Sequence, residues 1–363
     1  MKTVVLNVKQ LSLAEKKDLL GKSGRVEHMK DYIDLEKEDT AAGILFLDQN
    51  GRKIAYVGDM EHYDCDAVFN YLGGLQIKEQ SRMSKGVTSK HIQIGFQPGN
   101  GLRGNFCSPT VSMHANKDLQ VFGYYMALFG EEEYKRVMPE MYALHVEEMK
   151  RLKDKKMLIS PRSLFTSAVI NRSNQIQYHY DRGNTKEGAT MMCYILKGTK
   201  GGELLLPEVD LAINVKNNVF MLMEGHRMIH GVAPIERTYE GAERYSVVYY
   251  SKKELFNCQV NLDEEIKKSN RKYTVNFVNK LENYDALKQF TDKMMGKLKE
   301  RYAHVLDEDA FPAQEEPKQT STIPVGPKPD AAATEAAISS LMAEFKQDAA
   351  DESSDQDFEI PEN

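Results

Sequence analysis

The sequence predicts an α+β chain organised around a double-stranded β-helix, a jelly roll buttressed by helices, with an α+β N-terminal region and a disordered acidic C-terminal tail. Three observations carry that expectation. Short β-prone stretches punctuated by turn residues fill the middle of the chain, around 179–181, 201–207, 219–223 and 244–250. Apolar residues recurring every three or four positions mark helices on both sides of them, over 118–156 and 263–306. From residue 307 onward the chain is too poor in apolar residues to build a core. The resulting divisions are an N-terminal α+β region at 1–110, helices plus the jelly roll at 111–260, C-terminal helices at 261–306 and the tail at 307–363.

Taken in order, Gly43 to Val57 reads as a hairpin turning at Asn50-Gly51, where positive φ is easily reached. Within 118–156, Met141, Leu144, His145, Glu148, Met149 and Leu152 fall on one helical stripe, which makes His145 a packed residue rather than a ligand. Beyond the jelly roll, Tyr273, Phe277, Leu281, Leu287, Phe290 and Met294 mark apolar faces of a lysine-rich helical stretch. Its lysines suit either a solvated face or a nucleic-acid path. In the tail, Ala331 to Gln347 is a run of helix formers with Ile338, Leu341, Met342 and Phe345 on one face. It reads either as a transient helix in a solubilising tail or as a docking helix for a protein partner.

A net charge of −6 counts against a nucleic-acid substrate when taken over the whole chain, but the acid is concentrated at one end. Residues 307–363 hold fifteen of the 54 acidic groups and three of the 48 basic ones, so residues 1–306 carry 45 basic against 39 acidic groups, net +6. That mildly basic body is compatible with contact to a phosphate backbone. No apolar run reaches the roughly 18 residues a membrane span needs. The first twenty residues, with Lys2, Lys9, Glu15, Lys16, Lys17 and Asp18, lack the apolar stretch of a signal peptide. A protein of the cytoplasm or nucleus is therefore expected, with no membrane partner. Cys65, Cys107, Cys193 and Cys258 are widely spaced without a CxxC pair, so reduced thiols are expected and a zinc site is not.

The most informative pattern is His179-Tyr180-Asp181 followed by His230 and Arg244. Alternation along a strand points His179 and Asp181 to the same side. Two imidazoles and one carboxylate on a single face of an octahedral ferrous ion leave three positions, enough for a bidentate oxo-acid and O2. The set therefore reads as an Fe(II)- and 2-oxoglutarate-dependent oxygenase site, with His230 as the distal ligand. His226 competes for that role. The Gly-Val-Ala-Pro at 231–234 is, however, the turn chemistry expected where a ligand leaves its strand, and His226 becomes a pocket or surface residue. Arg244 opens a run in which residues 244, 246 and 248 share a face. Its guanidinium fork suits the far carboxylate of the oxo-acid, with the hydroxyl of Ser246 in support. A histidine in a strand is more often a satisfied core or surface residue, so the weight rests on the ordered set. Gly201-Gly202-Glu203-Leu204-Leu205-Leu206-Pro207 adds to it by starting a strand where a double-stranded β-helix needs one.

Residues 163 to about 252 resemble the TET and base-J-binding-protein family of nucleic-acid dioxygenases. The matching stretches are Asn171-Arg172, His179 to Asn184, Gly201 to Pro207, the Val219-to-Met223 strand, His230-Gly231 and Arg244-Tyr245-Ser246. The resemblance implies Fe(II) and 2-oxoglutarate as cofactors and a flipped pyrimidine as substrate. In that family the residue three after the metal-binding aspartate contacts the polar edge of the base, and here that residue is Asn184. As a simple turn residue, Gly183-Asn184 would equally close the strand. Tyr178, Tyr180 and Arg182 are the other local candidates for gripping the base. Prolyl hydroxylases share the motif order but commonly hold the oxo-acid with lysine. AlkB-type demethylases carry a second arginine six residues after the first, where this chain has Tyr250. Residues 1–110 and 260–363 match no family pattern.

What the resemblance implies is hydroxylation of the 5-methyl group of 5-methylcytosine in DNA. Thymine, yielding 5-hydroxymethyluracil, is the close alternative. Both bases offer the same methyl group and differ at the edge where cytosine donates from N4 and thymine accepts at O4. Either must leave the base stack of a duplex, at a cost of a few kcal/mol. No catalytic side chain beyond the metal ligands is expected. A protein or small-molecule 2-oxoglutarate hydroxylase and a non-catalytic binding module are the rival classes, since fold alone does not dictate chemistry.

Overall fold

The computed structural model describes residues 1–60, 64–77, 79–81, 88–98, 106–110, 112, 117–153, 157–159, 163–257 and 259–260. The helices expected at 261–306, and the tail at 307–363 with its helix at 331–347, lie outside the described residues. Contacts group Met1–Phe311 as one unit and place Pro312–Asn363 outside it. All the described residues belong to the first.

Its strands, in chain order, are β1 (Lys2–Leu6), β2 (Asp31–Asp34), β3 (Ile44–Asp48), β4 (Lys53–Asp59), β5 (Glu79–Ser81), β6 (Thr88–Pro98), β7 (Phe106–Pro109), β8 (Ser167–Arg172) and β9 (Ile176–His179). There follow β10 (Thr190–Lys197), β11 (Thr199–Gly201), β12 (Leu204–Leu206), β13 (Leu211–Asn214), β14 (Val219–Met223), β15 (His230–Val232), β16 (Ile235–Arg237), β17 (Glu243–Tyr250) and β18 (Gln259–Val260). The helices are α1 (Leu13–Leu19), α2 (Cys65–Gly74), α3 (Lys117–Val137) and α4 (Pro139–Met149).

Eight of these strands make the double-stranded β-helix. The chain passes back and forth between one sheet containing β14-β10-β17-β8 and another containing β13-β12-β15-β9, each in that hydrogen-bonded order. All the pairings within these two sets are antiparallel. Residues 1–110 build onto the same sheets. The β3–β4 hairpin, turning at Asn50-Gly51 as expected, pairs through β4 with β14, and β1 lies parallel to β3. On the other side β6 pairs with β8, while β2 joins β13 in the second sheet.

The first sheet is buried on both faces, which explains why its strands are nearly continuous apolar runs rather than alternating ones. Met191, Cys193, Ile195, Phe220, Leu222, Tyr245, Val247 and Tyr249 pack outward in one core with Phe122, Met126 and Phe129 of α3. Met192, Tyr194, Val219, Met221 and Met223 face inward and meet Leu204, Leu206, Leu211 and Ile213 of the second sheet. The long helical pattern at 118–156 is split between α3 and α4, because Pro139 takes the first turn of a new helix where its missing N–H costs nothing. His145 is packed, as expected: it is fully buried, with Nε2 2.8 Å from Ser251 Oγ. Leu144, expected on the same stripe, is instead 53% exposed, because it lies about 100° round the same helix from the buried His145, at the edge of the packed face.

The second sheet is covered on its outer face by the N-terminal segment. Tyr178, Leu205, Ala212, Ile229 and Ala233 form a small core against Leu19, Leu20, Val26 and Met29. Helix α1, started by a Ser12–Glu15 capping box, leads into a turn that pairs with the free edge of β9. Gly21 N donates to Tyr178 O and Tyr178 N to Lys22 O, each at 2.9 Å. Among the cysteines, Cys65 and Cys193 are free, whereas Cys107 is disulfide-bonded, so the expectation of reduced thiols does not hold for it. No helix among the described residues is long and apolar enough to cross a membrane.

Candidate metal centre

His179 ends β9 and His230 begins β15, and the two residues are direct cross-strand partners. Their rings lie 4.3 Å apart between centroids. Asp181 follows two residues after His179, in a turn held at both ends: Asp181 N donates to Gly225 O at 3.0 Å and Asn184 N to Asp181 O at 3.0 Å. Asp181 Oδ1 stands 3.5 Å from His179 Nε2 and 3.6 Å from His230 Nε2. One donor atom from each of the three residues lies within 4.8 Å of the others.

The tautomers suit a metal. His179 Nδ1 donates to Gln177 O at 2.8 Å and His230 Nδ1 to Met228 O at 3.0 Å, which leaves the Nε2 lone pair of each ring facing the carboxylate. Backbone carbonyls that orient ligand imidazoles in this way are the usual support of metal-binding histidines. Burial and the neighbouring His179 push the His230 pKa down, keeping the ring neutral. Burial alone would raise the Asp181 carboxyl, but His230 and His179, whenever they are protonated, and the Thr190 hydroxyl hold it well below the ordinary carboxylate value. Two neutral imidazoles and one ionised carboxylate are the donor set for ferrous iron with an open face.

Arg244, the second residue of β17, is 3% exposed, and its Nε and Nη2 have no hydrogen-bond partner among the described residues. Its guanidinium lies over the Tyr194 ring, 5.0 Å from the centroid. A buried, unpaired guanidinium is costly, and a carboxylate that completes its hydrogen bonds offsets that cost. The site thus fits the distal carboxylate of 2-oxoglutarate. Ser246 shares the inward face of β17 and accepts from Asn171 Nδ2 at 3.3 Å. Gly202, with φ +75°, packs against Arg244: a Cβ there would meet Arg244 Cδ at 3.2 Å and Ile235 Cγ1 at 2.8 Å.

The remaining expected residues fall into different surroundings. Asn184 turns toward the metal ligands, its Nδ2 donating to Asp181 Oδ2 at 3.2 Å and to Thr190 Oγ1 at 2.9 Å. Tyr180 is half-buried near Lys16 and Glu208, and Arg182 is exposed. Tyr178 alternates away from His179 and is buried in the small core under the N-terminal segment, and it also lines the cavity beside His179. His226 stands outside the three-residue cluster and accepts from Arg227 Nε at 3.1 Å. A cavity of about 340 Å³ opens beside His179, walled by Ser89, Gln175, Gln177, Tyr180, Arg182 and the N-terminal Leu20 and Gly21. Thr190, Tyr194, Gly202 and Gly225 were not singled out as individual site residues by sequence. Each acts through contact with a residue distant along the chain, and nothing local marks them.

Residues 119–253 match the family model of Tet_JBP, the oxygenase domain of the 2OGFeDO superfamily. Among solved structures, the chain is similar to NgTET1 in complex with 5mC DNA at 13% identity and a TM-score of 0.47, covering 62% of this chain and 83% of that one. An oxidoreductase of the 2OG-Fe(II) oxygenase family from Burkholderia pseudomallei follows at 11% identity and a TM-score of 0.31, covering 70% and 100%. The viral collagen prolyl hydroxylase vCPH from Paramecium Bursaria Chlorella virus-1 gives 14% identity and a TM-score of 0.27, covering 56% and 92%. No curated protein matches the chain.

Proposed function

Residues 119–253 carry a Tet_JBP oxygenase domain, dependent on Fe(II) and 2-oxoglutarate, and from that premise we propose that the protein hydroxylates the 5-methyl group of 5-methylcytosine in DNA. Bound iron, with 2-oxoglutarate and O2, would supply the oxidising power that places a hydroxyl on a methyl C–H bond. The chain's own residues decide which bond that is. Arg244 takes the distal carboxylate of the oxo-acid through Nε and Nη2, and the cavity beside His179 sets which carbon comes within reach.

The observation that carries the substrate reading is the orientation of Asn184. Its Nδ2 is committed to Asp181 and Thr190, so the carbonyl Oδ1 is the part of the amide left for a substrate. A hydrogen-bond acceptor suits the N4 amino group of cytosine and opposes the O4 of thymine. The cavity beside His179, lined also by Gln175, Gln177 and Arg182, is the space that would accept one extruded base.

The test supplies Fe(II), 2-oxoglutarate and O2 with duplexes that contain or lack 5-methylcytosine, then measures succinate and the digested nucleosides by mass. The expected result is 5-hydroxymethylcytosine together with DNA-stimulated succinate. Oxidised thymine without oxidised 5-methylcytosine would reverse the argument from Asn184. Succinate formation indifferent to every DNA would keep the oxygenase and move its substrate to a protein or small molecule.

A further inference from the structure

The two oxygens of Asp181 have different surroundings. Oδ1 faces both histidine Nε2 atoms, at 3.5 and 3.6 Å. Oδ2 points the other way, into a seat made by three residues from three parts of the chain. Asn184 Nδ2 donates to it at 3.2 Å and Thr190 Oγ1 at 3.3 Å. Asn184 also donates to Thr190 Oγ1 at 2.9 Å, which directs the hydroxyl hydrogen of Thr190 toward the carboxylate. The third wall is Gly225, where a Cβ would collide with Asp181 Oδ2 and stand 3.0 Å from Thr190 Oγ1. Thr190 is 3% exposed and opens β10, while the Asn184 turn is tied down by Thr185 N donating to Ser251 O and Lys253 N to Gly183 O. The seat is therefore part of the rigid frame.

We propose that Thr190, with Asn184 and the bare Cα of Gly225, is a positioning device that holds Asp181 as a one-oxygen ligand. Oδ2 is engaged by two donors and walled in by Gly225, so only Oδ1 is presented to a metal. A carboxylate that swung to offer both oxygens would take one of the positions the oxo-acid and O2 require. Two donors on Oδ2 also restrict the rotation of the carboxylate that metal binding would otherwise have to freeze. This inference rests on the iron site and is independent of which substrate the oxygenase takes.

The experiment measures anaerobic Fe(II) affinity, and then 2-oxoglutarate affinity of the Fe(II)-loaded protein by its charge-transfer absorption. The proteins are the wild type, Thr190→Val, Thr190→Ser and Gly225→Ala. Thr190→Val keeps the volume and removes the donor, and it should weaken Fe(II) binding roughly 10–100-fold, the usual effect of losing a partner behind a metal ligand. Thr190→Ser restores the hydroxyl and should bring the affinity back close to wild type. Gly225→Ala should weaken both Fe(II) and 2-oxoglutarate binding, and it reports on the same seat if Thr190→Val fails to fold. Wild-type Fe(II) affinity in folded Thr190→Val or Gly225→Ala would overturn the proposal. So would a Thr190→Ser protein as impaired as Thr190→Val, which would reveal a packing role. A wild type that binds no Fe(II) would instead overturn the metal site itself.

Discussion

The sheet that carries Arg244 is buried on both faces, while the sheet that carries His179 and His230 is covered on its outside, among the described residues, by a short N-terminal segment. Strands β10 and β17 are eight residues long and are sandwiched between helices α3 and α4 and the jelly-roll interior. Strands β9 and β15 have four and three residues, and the outer edge of β9 is closed by two hydrogen bonds to Gly21 and Lys22. Arg244, the proposed oxo-acid anchor, thus stands on the thick layer. The metal ligands stand on the thin one, and they gain rigidity from turns and side-chain contacts that reach across to the thick layer, such as Thr190 to Asp181.

The largest effect that tests this comparison is removal of the shared ligand. Asp181→Ala should reduce 2-oxoglutarate turnover to background, read as succinate, because the remaining imidazoles form no ionised three-donor set. Next come core truncations, one in each layer. Phe129, 2% exposed and edge-on to Phe220 at 5.2 Å, lies in the thick layer. Phe129→Ala should cost about 3–5 kcal/mol in urea unfolding and leave the Fe(II) affinity of the folded protein unchanged. Leu205, fully buried behind Tyr178, lies in the thin layer. Leu205→Ala should cost about 2–5 kcal/mol and weaken Fe(II) binding as well. Equal effects of the two on Fe(II) would remove the distinction between the layers.

Glu131 on α3 gives the helix layer a pH dependence. Burial pushes its carboxyl up to about 7, against the bonds it accepts from Tyr142 and Leu164 N. A carboxyl raised in the folded state binds more protons there than in the unfolded chain, so its contribution is present below the ordinary value of 4.5 and is lost as pH rises through 7. Urea stability should fall by about 3 kcal/mol across that window from this group, and Glu131→Gln should flatten the fall. The smallest of these effects concerns the oxo-acid anchor. Arg244→Ala should keep Fe(II) binding and weaken 2-oxoglutarate binding roughly 10–100-fold, the value of charge-assisted hydrogen bonds lost from a buried site.

The cluster of His179, Asp181 and His230 was legible in the sequence because the signals that point to it are local. His179 and Asp181 share a side through strand alternation, Arg244 and Ser246 do the same, and Gly-Val-Ala-Pro after His230 separates it from His226. Turn chemistry at Asn50-Gly51 and the helical periodicity around His145 were readable for the same reason. Periodicity was misleading for Leu144, which falls at the edge of the packed face of its helix and is left exposed. It was silent about Tyr178, whose environment depends on which segment covers the outer face of β9.

The grouping of His179 with Asp181, and of Arg244 with Ser246, is a property of the chain, written in spacings of a few residues that backbone geometry converts directly into shared faces. The arrangement around them is a property of packing. That β1, β3 and β4 extend one sheet of the jelly roll and β2 the other, that residues 20–22 close the edge of β9, and that Thr190 and Gly225 meet Asp181 all join positions tens of residues or more apart, or across a turn, in space. Such contacts arise from burying apolar faces and satisfying buried polar atoms over the whole fold, and no local pattern encodes them.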